Sequence, residues 1–286
     1  MSTFDAAKFK ATTRNQWDSA AGAWHRWGPT LSAWLGPATE VMFDLAGVAT
    51  GSRVLDVAAG AGEQTLAAAR RVGSNGSVVA TDISAAILEH CARDASIAGL
   101  TNVETLAVDG EDLSTFPNSS FDAVISRVGL IYFPDRHRAL RGMLRVLRSG
   151  GRVGAIVYST PENNGFFSVP VSIIRRHAGL APPEPGMPGP FSLGSPGVLE
   201  KALSVAGFTE IVIRKVDAPL LLPTAADCLR FEQESFGALH QMLSGLDAAG
   251  KKAAWDEIAE ALGNFQTAAG FEGPCELLVA AGTKPV

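Results

Sequence analysis

The residue types that could do chemistry here are four carboxylates and two glycines spread from position 56 to 109: Asp56, Gly60, Gly62, Glu63, Asp82 and Asp109. Gly60-Ala61-Gly62 follows the apolar run Val54-Leu55-Asp56-Val57 and precedes Leu66-Ala67-Ala68-Ala69, which reads as a helix. A strand, a glycine turn and a helix in that order set bare backbone amides and the positive end of a helix against a bound group. A phosphate could sit there, but two carboxylates beside it would repel it. Asp56 and Glu63 favour a ligand that carries positive charge, such as a sulfonium with an ammonium. The third glycine of the dinucleotide fingerprint is missing, and Thr65 takes its place. Asp82 lies 20 residues after Gly62 and closes the next apolar run, Ser77 to Thr81. An acid at that strand end reaches the two hydroxyls of a ribose, in NAD or in any other adenosine ligand. Its other use is to cap the following helix, a role open to Ser84. Asp109-Gly110 closes a third run, where Asp109 could accept from an adenine amino group or brace its own loop as an Asx turn.

These residues need alternating strands and helices to position them, and the apolar pattern supplies both from Ser52 to Val157. Strands are predicted at 53–57, 77–81, 103–108, 121–126 and 153–157. The helices between them run over 64–72, from Ser84 to about Ala98, and from Pro134 to the stop Ser149-Gly150-Gly151. Later come a helix at 198–206, opened by Ser195-Pro196, and strands at 209–216 and 276–281. Such repeats build a mostly parallel, seven-stranded sheet with helices on both faces and right-handed crossovers. Flanking segments complete the organisation: a lid at 1–48, the core at 49–158, a Pro/Gly-rich insertion at 159–194, and a C-terminal part of the core at 195–286. That last part carries a helical insertion at 224–270, read as two helices joined near Ala249-Gly250. In the lid, residues 1–12 read as a polar tail. The rest is helical, broken at Gly28-Pro29 and Gly36-Pro37. Trp17, Trp24, Trp27 and Trp34 follow helical spacing there and suit a face that glues the lid to the core. Trp24 could also offer its ring to a sulfonium.

Composition excludes several classes. At 286 residues and 47% hydrophobic content the chain can bury a large core. The net charge of -5, with no Lys/Arg-rich run, argues against a nucleic-acid partner. Cys91, Cys228 and Cys275 are scattered and have no metal-ligand spacing, so no metal site is expected and the thiols read as reduced. There is no signal-type apolar segment at the start and no run of 18 apolar residues, so a cytoplasmic protein without a membrane span is expected.

Taken in order, Val-Leu-Asp-Val-Ala-Ala-Gly-Ala-Gly, Ala-Thr-Asp-Ile-Ser, Val-Asp-Gly-Glu-Asp-Leu, Phe-Asp-Ala-Val-Ile-Ser-Arg and Leu-Arg-Ser-Gly-Gly-Arg resemble the motifs of class I S-adenosylmethionine-dependent methyltransferases. The detail is similar to the branch with the ubiquinone/menaquinone C-methyltransferases and related small-molecule enzymes. The resemblance spans about residues 50–157 and the tail from 195 to 216. It implies a doubly wound Rossmann-like fold and S-adenosylmethionine as cofactor, with S-adenosylhomocysteine as product. It places Asp56, Gly60 and Gly62 beside the methionine part, Asp82 on the ribose and Ile83 on the adenine. Asp109 and Gly110 fall at the adenine edge, and Ser126 and Arg127 beside the methionine moiety and the acceptor. Arg127 departs from the His or Asn common after that serine. It could face an acidic acceptor or the donor's carboxylate, or pair with Asp135 or Glu111.

The implied reaction is in-line displacement onto a small, partly apolar acceptor in a water-excluded pocket. A general base is needed only for a protonated acceptor; Tyr132, past the fourth strand, His137 and His25 are the candidates, with His177 and His240 on the inserts, and each lone histidine has a structural use as its other reading. The alternatives are a protein of this fold that binds without transferring, and a nicotinamide-dependent oxidoreductase. The helical inserts could also pair two copies into a homodimer.

Overall fold

The computed structural model describes residues 4–184 and 186–286. Two long helices come first, α1 (Ala6–Arg26) and α2 (Gly28–Ala46). From Ala6 the expected polar tail is helical, with Asp5 accepting from the Lys8 amide to cap α1; its first three residues lie outside the described residues. The Gly28-Pro29 break is real but takes one residue, Trp27, and Pro29 sits in the first turn of α2, where its missing N–H costs nothing. Pro37 does not end α2. Leu31, Trp34, Leu35, Ala38 and Met42 are all buried along the helix, and that packing outweighs the one hydrogen bond a proline removes.

The core then alternates as its pattern requires: β1 (Arg53–Val57), α3 (Glu63–Val72), β2 (Ser77–Asp82), α4 (Ala85–Ile97), β3 (Val103–Ala107), β4 (Phe121–Arg127), α5 (Arg136–Val146) and β5 (Leu147–Tyr158). Ser84 caps α4 by accepting from the Ile87 amide. Helix α5 ends before the Ser149-Gly150-Gly151 stop, and those residues lie inside a twelve-residue β5. After β5 come α6 (Gly165–His177), α7 (Val198–Ala206), β6 (Thr209–Asp217), β7 (Leu220–Leu222), α8 (Ala225–Ser235), α9 (Gly237–Met242), α10 (Ala248–Leu262), β8 (Gln266–Thr267), β9 (Gly270–Gly273) and β10 (Glu276–Thr283). Helix α7 spans the predicted 198–206, but its N-cap is Gly197 in the left-handed region, two residues past Ser195. The cap insertion holds three helices rather than two. Its breaks fall at Phe236 and after Met242, while Ala249-Gly250 lies in the first turn of α10, where Asp247 caps Gly250. A small antiparallel sheet, β7-β9-β8, braces the insertion and has no clear signature in such short strands.

The main sheet has seven strands in the order β3-β2-β1-β4-β5-β10-β6. The pairs β3-β2, β2-β1, β1-β4 and β4-β5 are parallel, and β10 runs antiparallel to both β5 and β6. The order reverses at β1, so a crevice opens at the C-terminal ends of β1, β2 and β4, where open α/β sheets bind ligands. Helix α1 lies over α4, and the cap helices α8 and α9 close on α1 from the other side. Among the described residues no helix is long and apolar enough to cross a membrane.

Candidate functional site

The crevice is a cavity of about 960 Å³, partly open to solvent, between the C-terminal edge of the sheet, α1 and the cap. Its floor is backbone. Gly60 has φ 61° and Trp24 lies over it, with Nε1 3.5 Å from where a Cβ would stand. Ala58 and Val128, at the ends of β1 and β4, also have φ of 60° and line the wall. Positive φ strains any residue with a Cβ, and a β-branched one most, and such strain gathers at ligand sites. Gly110 admits the ring of Phe133, since a Cβ would fall 2.5 Å from Phe133 Cζ. Gly129 admits Ala58 in the same way.

Polar groups enter at two ends. At one, Asp82 accepts from the Gly60 amide through Oδ2 and from the Ser84 amide through Oδ1, both at 3.0 Å. Burial pushes its carboxyl up to about 6, against the pull of those amides. The carboxylate thus braces the glycine turn as well as facing the cavity, and Ile83 lies beside it on the wall. Asp109 forms the Asx turn, accepting from the Glu111 amide at 2.9 Å, while its other oxygen meets Lys10 of α1 at 2.8 Å. Lys10 also pairs with Glu111. Burial works against its charge, but the two carboxylates outweigh burial and raise its pKa. Helix α1 is thereby tied over the site, with a second tie from Ser84 Oγ to Asp18 at 2.5 Å.

At the other end Arg127 lines the cavity and pairs with Glu63 at 3.2 Å, not with Asp135 or Glu111. Glu111 is taken by Lys10 and by the Asp135 amide. Arg127 is buried and Glu63 partly buried, and burial is the largest influence on each, pushing Glu63 up and Arg127 down. Glu63 is therefore neutralised by its neighbour, and only part of the negative charge read from the sequence faces a ligand.

The structure brings Gly60, Asp82, Ile83, Asp109, Gly110, Arg127, Trp24 and Tyr132 to the cavity wall. Asp56, Gly62, Ser126 and His137 lie off it. Asp56 is fully buried beneath the turn and accepts from Thr65 Oγ1 at 2.6 Å and Gln64 Nε2 at 3.3 Å. Burial raises its carboxyl to about 6. Gly62 faces α4, where a Cβ would come 2.4 Å from Cys91 Sγ. Ser126 is buried under Gly129 with its hydroxyl unpartnered among the described residues. His137 is exposed in the first turn of α5, whereas Ala139 and Leu140 further along that helix are buried in the core. The lone histidines do have partners: His25 meets Asp94 at 2.9 Å and His177 meets Glu257 at 2.7 Å, both outside the cavity. Burial raises the Tyr132 phenol above the ordinary tyrosine range.

Sequence reasoning missed Lys10, Trp17, Tyr158 and Phe236 on the wall. Tyr158 ends β5, and the strand-end rule that found Asp82 could have found it. Trp17 stands edge-on to both Trp24 and Tyr132. Of the other lid tryptophans, Trp34 donates to the Ala218 carbonyl at 2.7 Å and Trp27 to Glu234 at 2.9 Å, so these two stitch the lid to the rest of the chain. Lys10 and Phe236 carry no local signal. Among the described residues no cluster of His, Cys, Asp and Glu could hold a metal, and the three cysteines are free and buried.

Residues 38–172, just under half of the chain, match the model of the ubiE/COQ5 methyltransferase family. The chain is similar to the ubiquinone/menaquinone biosynthesis C-methyltransferase UbiE of Idiomarina loihiensis, with 42% identity over 121 residues, covering 41% of this chain and 47% of the relative. The UbiE of Pseudomonas savastanoi pv. phaseolicola is 42% identical over 123 residues, with 42% and 47% covered. The chain thus spans about half the length of the curated relatives it matches. Among solved structures it is similar to the YcgJ protein of Bacillus subtilis, with a TM-score of 0.59 and 21% identity over 88% of this chain and 99% of that one. The likeness to geranyl diphosphate C-methyltransferase of Streptomyces coelicolor has a TM-score of 0.51 and 20% identity, covering 87% and 79%. At these identities the structures show the fold: a Rossmann-like methyltransferase fold with a mostly parallel seven-stranded sheet. The core sequence resembles class I S-adenosylmethionine-dependent methyltransferases close to UbiE.

Proposed function

We propose that this chain is an S-adenosylmethionine-dependent methyltransferase that acts on a small, partly apolar molecule. The observation that carries the reading is one continuous cavity, with an acid and an apolar residue on a backbone floor at one end and aromatic side chains at the other. The residues present fit the donor. Asp82 offers a buried carboxylate to ribose hydroxyls, Ile83 offers an apolar surface to adenine, and Gly60 keeps the floor beneath Trp24 open. When bound, S-adenosylmethionine supplies a methyl group already activated by a positive sulfur.

The chain's own residues then have positioning work to do. Trp24 lies over Gly60, and its ring is available to a sulfonium by cation–π attraction. Trp17, Tyr132, Tyr158 and Phe236 wall the acceptor side and exclude water, which preserves alignment and strengthens the electrostatics inside. Tyr132 orients the acceptor through a neutral hydroxyl. Asp56 and Gly62 act from below, holding the turn. The same reading makes the chain a cytoplasmic enzyme, and pairing into a homodimer through the cap is measured by sedimentation.

Calorimetry with S-adenosylmethionine, S-adenosylhomocysteine and NAD tests the donor. Binding of the first two without NAD is expected, and the reverse would favour an oxidoreductase. Incubation with labelled S-adenosylmethionine and a metabolite extract, read by mass spectrometry for a gain of about 14 mass units on one small molecule, tests the transfer. Donor binding with no methylated product from any extract would favour a binding protein instead.

A further inference from the structure

Among the described residues two cations line the cavity, Lys10 and Arg127. Lys10 is spent on Asp109 and Glu111. Arg127 is spent less fully. It is 8% exposed, and its guanidinium makes two hydrogen bonds, to Thr39 Oγ1 at 3.4 Å and to Glu63 at 3.2 Å. Both are long beside the roughly 2.7–2.9 Å of a good charge-assisted bond. A guanidinium carries five N–H donors, so three are left without a partner among the described residues. An arginine with a purely structural task looks different in this chain. Arg145 of α5 makes three bonds, at 2.6, 2.7 and 2.9 Å, to the loop that precedes β4. A largely buried ion pair with one long contact does little for stability, because desolvation offsets the attraction unless further hydrogen bonds satisfy both groups.

Arg127 ends β4, which stands two strands from β2 and its terminal Asp82. At about 4.8 Å per strand, the two residues mark parts of the wall about 10 Å apart. Strand β5 lies one strand further from Asp82, and its last residue, Tyr158, lines the cavity with Leu35 of α2 and with Phe236. The Arg127 charge reaches that side: burial raises the Tyr158 phenol well above its ordinary value, and the guanidinium opposes the rise. Glu63 and the buried Asp56 are the acids that act on Arg127, both from the side of the glycine turn. Towards β5 the wall is apolar or aromatic. An unpaired donor on a buried cation is unfavourable, and an anion arriving through the cavity recovers what is lost.

We propose that Arg127 determines acceptor specificity and that the acceptor is an organic acid, its carboxylate on the free Arg127 donors and its apolar body against Leu35, Tyr158 and Phe236. The proposal rests on the methyltransferase reading and narrows its acceptor. A forked arginine–carboxylate pair fixes orientation as well as affinity, and in-line transfer depends on orientation. The positive sulfur of the donor attracts the same anion. The donor's own carboxylate has the chemistry to occupy Arg127 too, and the experiment separates the two sources.

The test uses the full chain saturated with S-adenosylhomocysteine and two probes of matched shape, 3-phenylpropanoate and 3-phenylpropanamide, with tryptophan fluorescence as the readout. At about pH 7.5 the acid is ionised and is expected to bind about tenfold more tightly than the amide. Arg127→Met combined with Glu63→Met leaves neither charge alone and should bring the two probes to within about twofold. Arg127→Lys keeps Glu63 paired and serves if the double variant does not fold; losing the fork should weaken the acid about fivefold and leave the amide unchanged. Equal binding of the two probes to the natural chain overturns the proposal, as does a preference that survives the double variant or an acid affinity unmoved in Arg127→Lys. Failure of both probes to bind at about 10 mM overturns it too. Repeating the comparison with 5′-methylthioadenosine, which lacks the amino-acid end, should give the same preference. Acid binding in that complex but not with S-adenosylhomocysteine assigns Arg127 to the donor's carboxylate and overturns the proposal. If the natural chain binds neither nucleoside, the methyltransferase reading fails, whereas loss of the acid preference with nucleoside binding intact removes the proposal alone.

Discussion

Lowering the pH should weaken S-adenosylhomocysteine binding through one carboxylate, Asp82. Its carboxyl is pushed up to about 6 by burial, although the Gly60 and Ser84 amides favour its charged form. Ribose hydroxyls need that carboxylate as an acceptor, so only the ionised fraction binds well. With a pKa of about 6 in the free protein, the ionised share falls from about nine-tenths at pH 7 to about one-tenth at pH 5. The dissociation constant should rise about tenfold over that range, or about 1.4 kcal/mol. The stability of the unliganded protein moves the other way. Because the folded pKa lies above the ordinary value of 3.8, the contribution of Asp82 is fully present below about pH 4 and is lost as pH rises through 6. The loss amounts to about 3 kcal/mol once the group is ionised in both the folded and the unfolded chain.

Asp82→Asn separates this group from its neighbour. Asparagine has one acceptor oxygen where Asp82 uses two, so its amide group must face the Gly60 or the Ser84 N–H. Loss of a charge-assisted bond costs about 1.5–3 kcal/mol, a weakening of about 10- to 150-fold at pH 7, and the remaining affinity should be flat from pH 5 to 7. Asp56 also titrates near 6, but it is buried beneath the turn and off the cavity wall. Asp56→Asn should therefore keep the tenfold slope. Calorimetry at pH 5, 6 and 7 on the three proteins decides the matter. A slope that persists in Asp82→Asn, or that vanishes in Asp56→Asn, would refute the assignment.

Arg127→Met leaves Glu63 buried without its counter-charge and should cost about 3–5 kcal/mol in urea unfolding, most of it regained when Glu63→Met is added. Gly62→Ala puts a Cβ 2.4 Å from Cys91 Sγ at φ 101° and should lower stability by about 2–4 kcal/mol in the same assay; adding Cys91→Ala relieves the clash but not the backbone strain. Glu232 is a buried carboxyl on α8 with neither oxygen partnered among the described residues, and burial holds its pKa well above the ordinary value. Its contribution to stability is present below about pH 4.5 and lost as pH rises, so Glu232→Met should raise the melting temperature, with a gap over the natural chain that widens from pH 5 to pH 7.

What could be read from the sequence divides along a physical line. The strand-turn-helix units, the capping of α4 by Ser84 and the acids at strand ends are consequences of neighbours within about thirty residues. Periodicity, turn chemistry and a strand end suffice to find such features, and Asp82, Ile83, Gly60 and Gly110 reach the cavity wall because nothing distant redirects them. Asp56 shows the limit of that logic. Spacing places it one residue before the end of β1, but the pleat turns its side chain under the turn to Thr65 and Gln64. Arg127 and Lys10 show a second limit. Their partners, Glu63 and the pair Asp109 and Glu111, are 64, 99 and 101 residues away, and only the sheet order and the path of α1 select them over equally plausible acids nearby. The acceptor side lies wholly beyond the limit. Trp17, Tyr158 and Phe236 come from a lid, a strand end and a cap break that share no motif, and they meet because α8 and α9 fold back on α1. A binding wall assembled from three separate segments leaves no periodic trace in any of them. This is why the end of the cavity around Asp82 follows from spacing, whereas the opposite wall depends on long-range packing around Trp17 and Phe236.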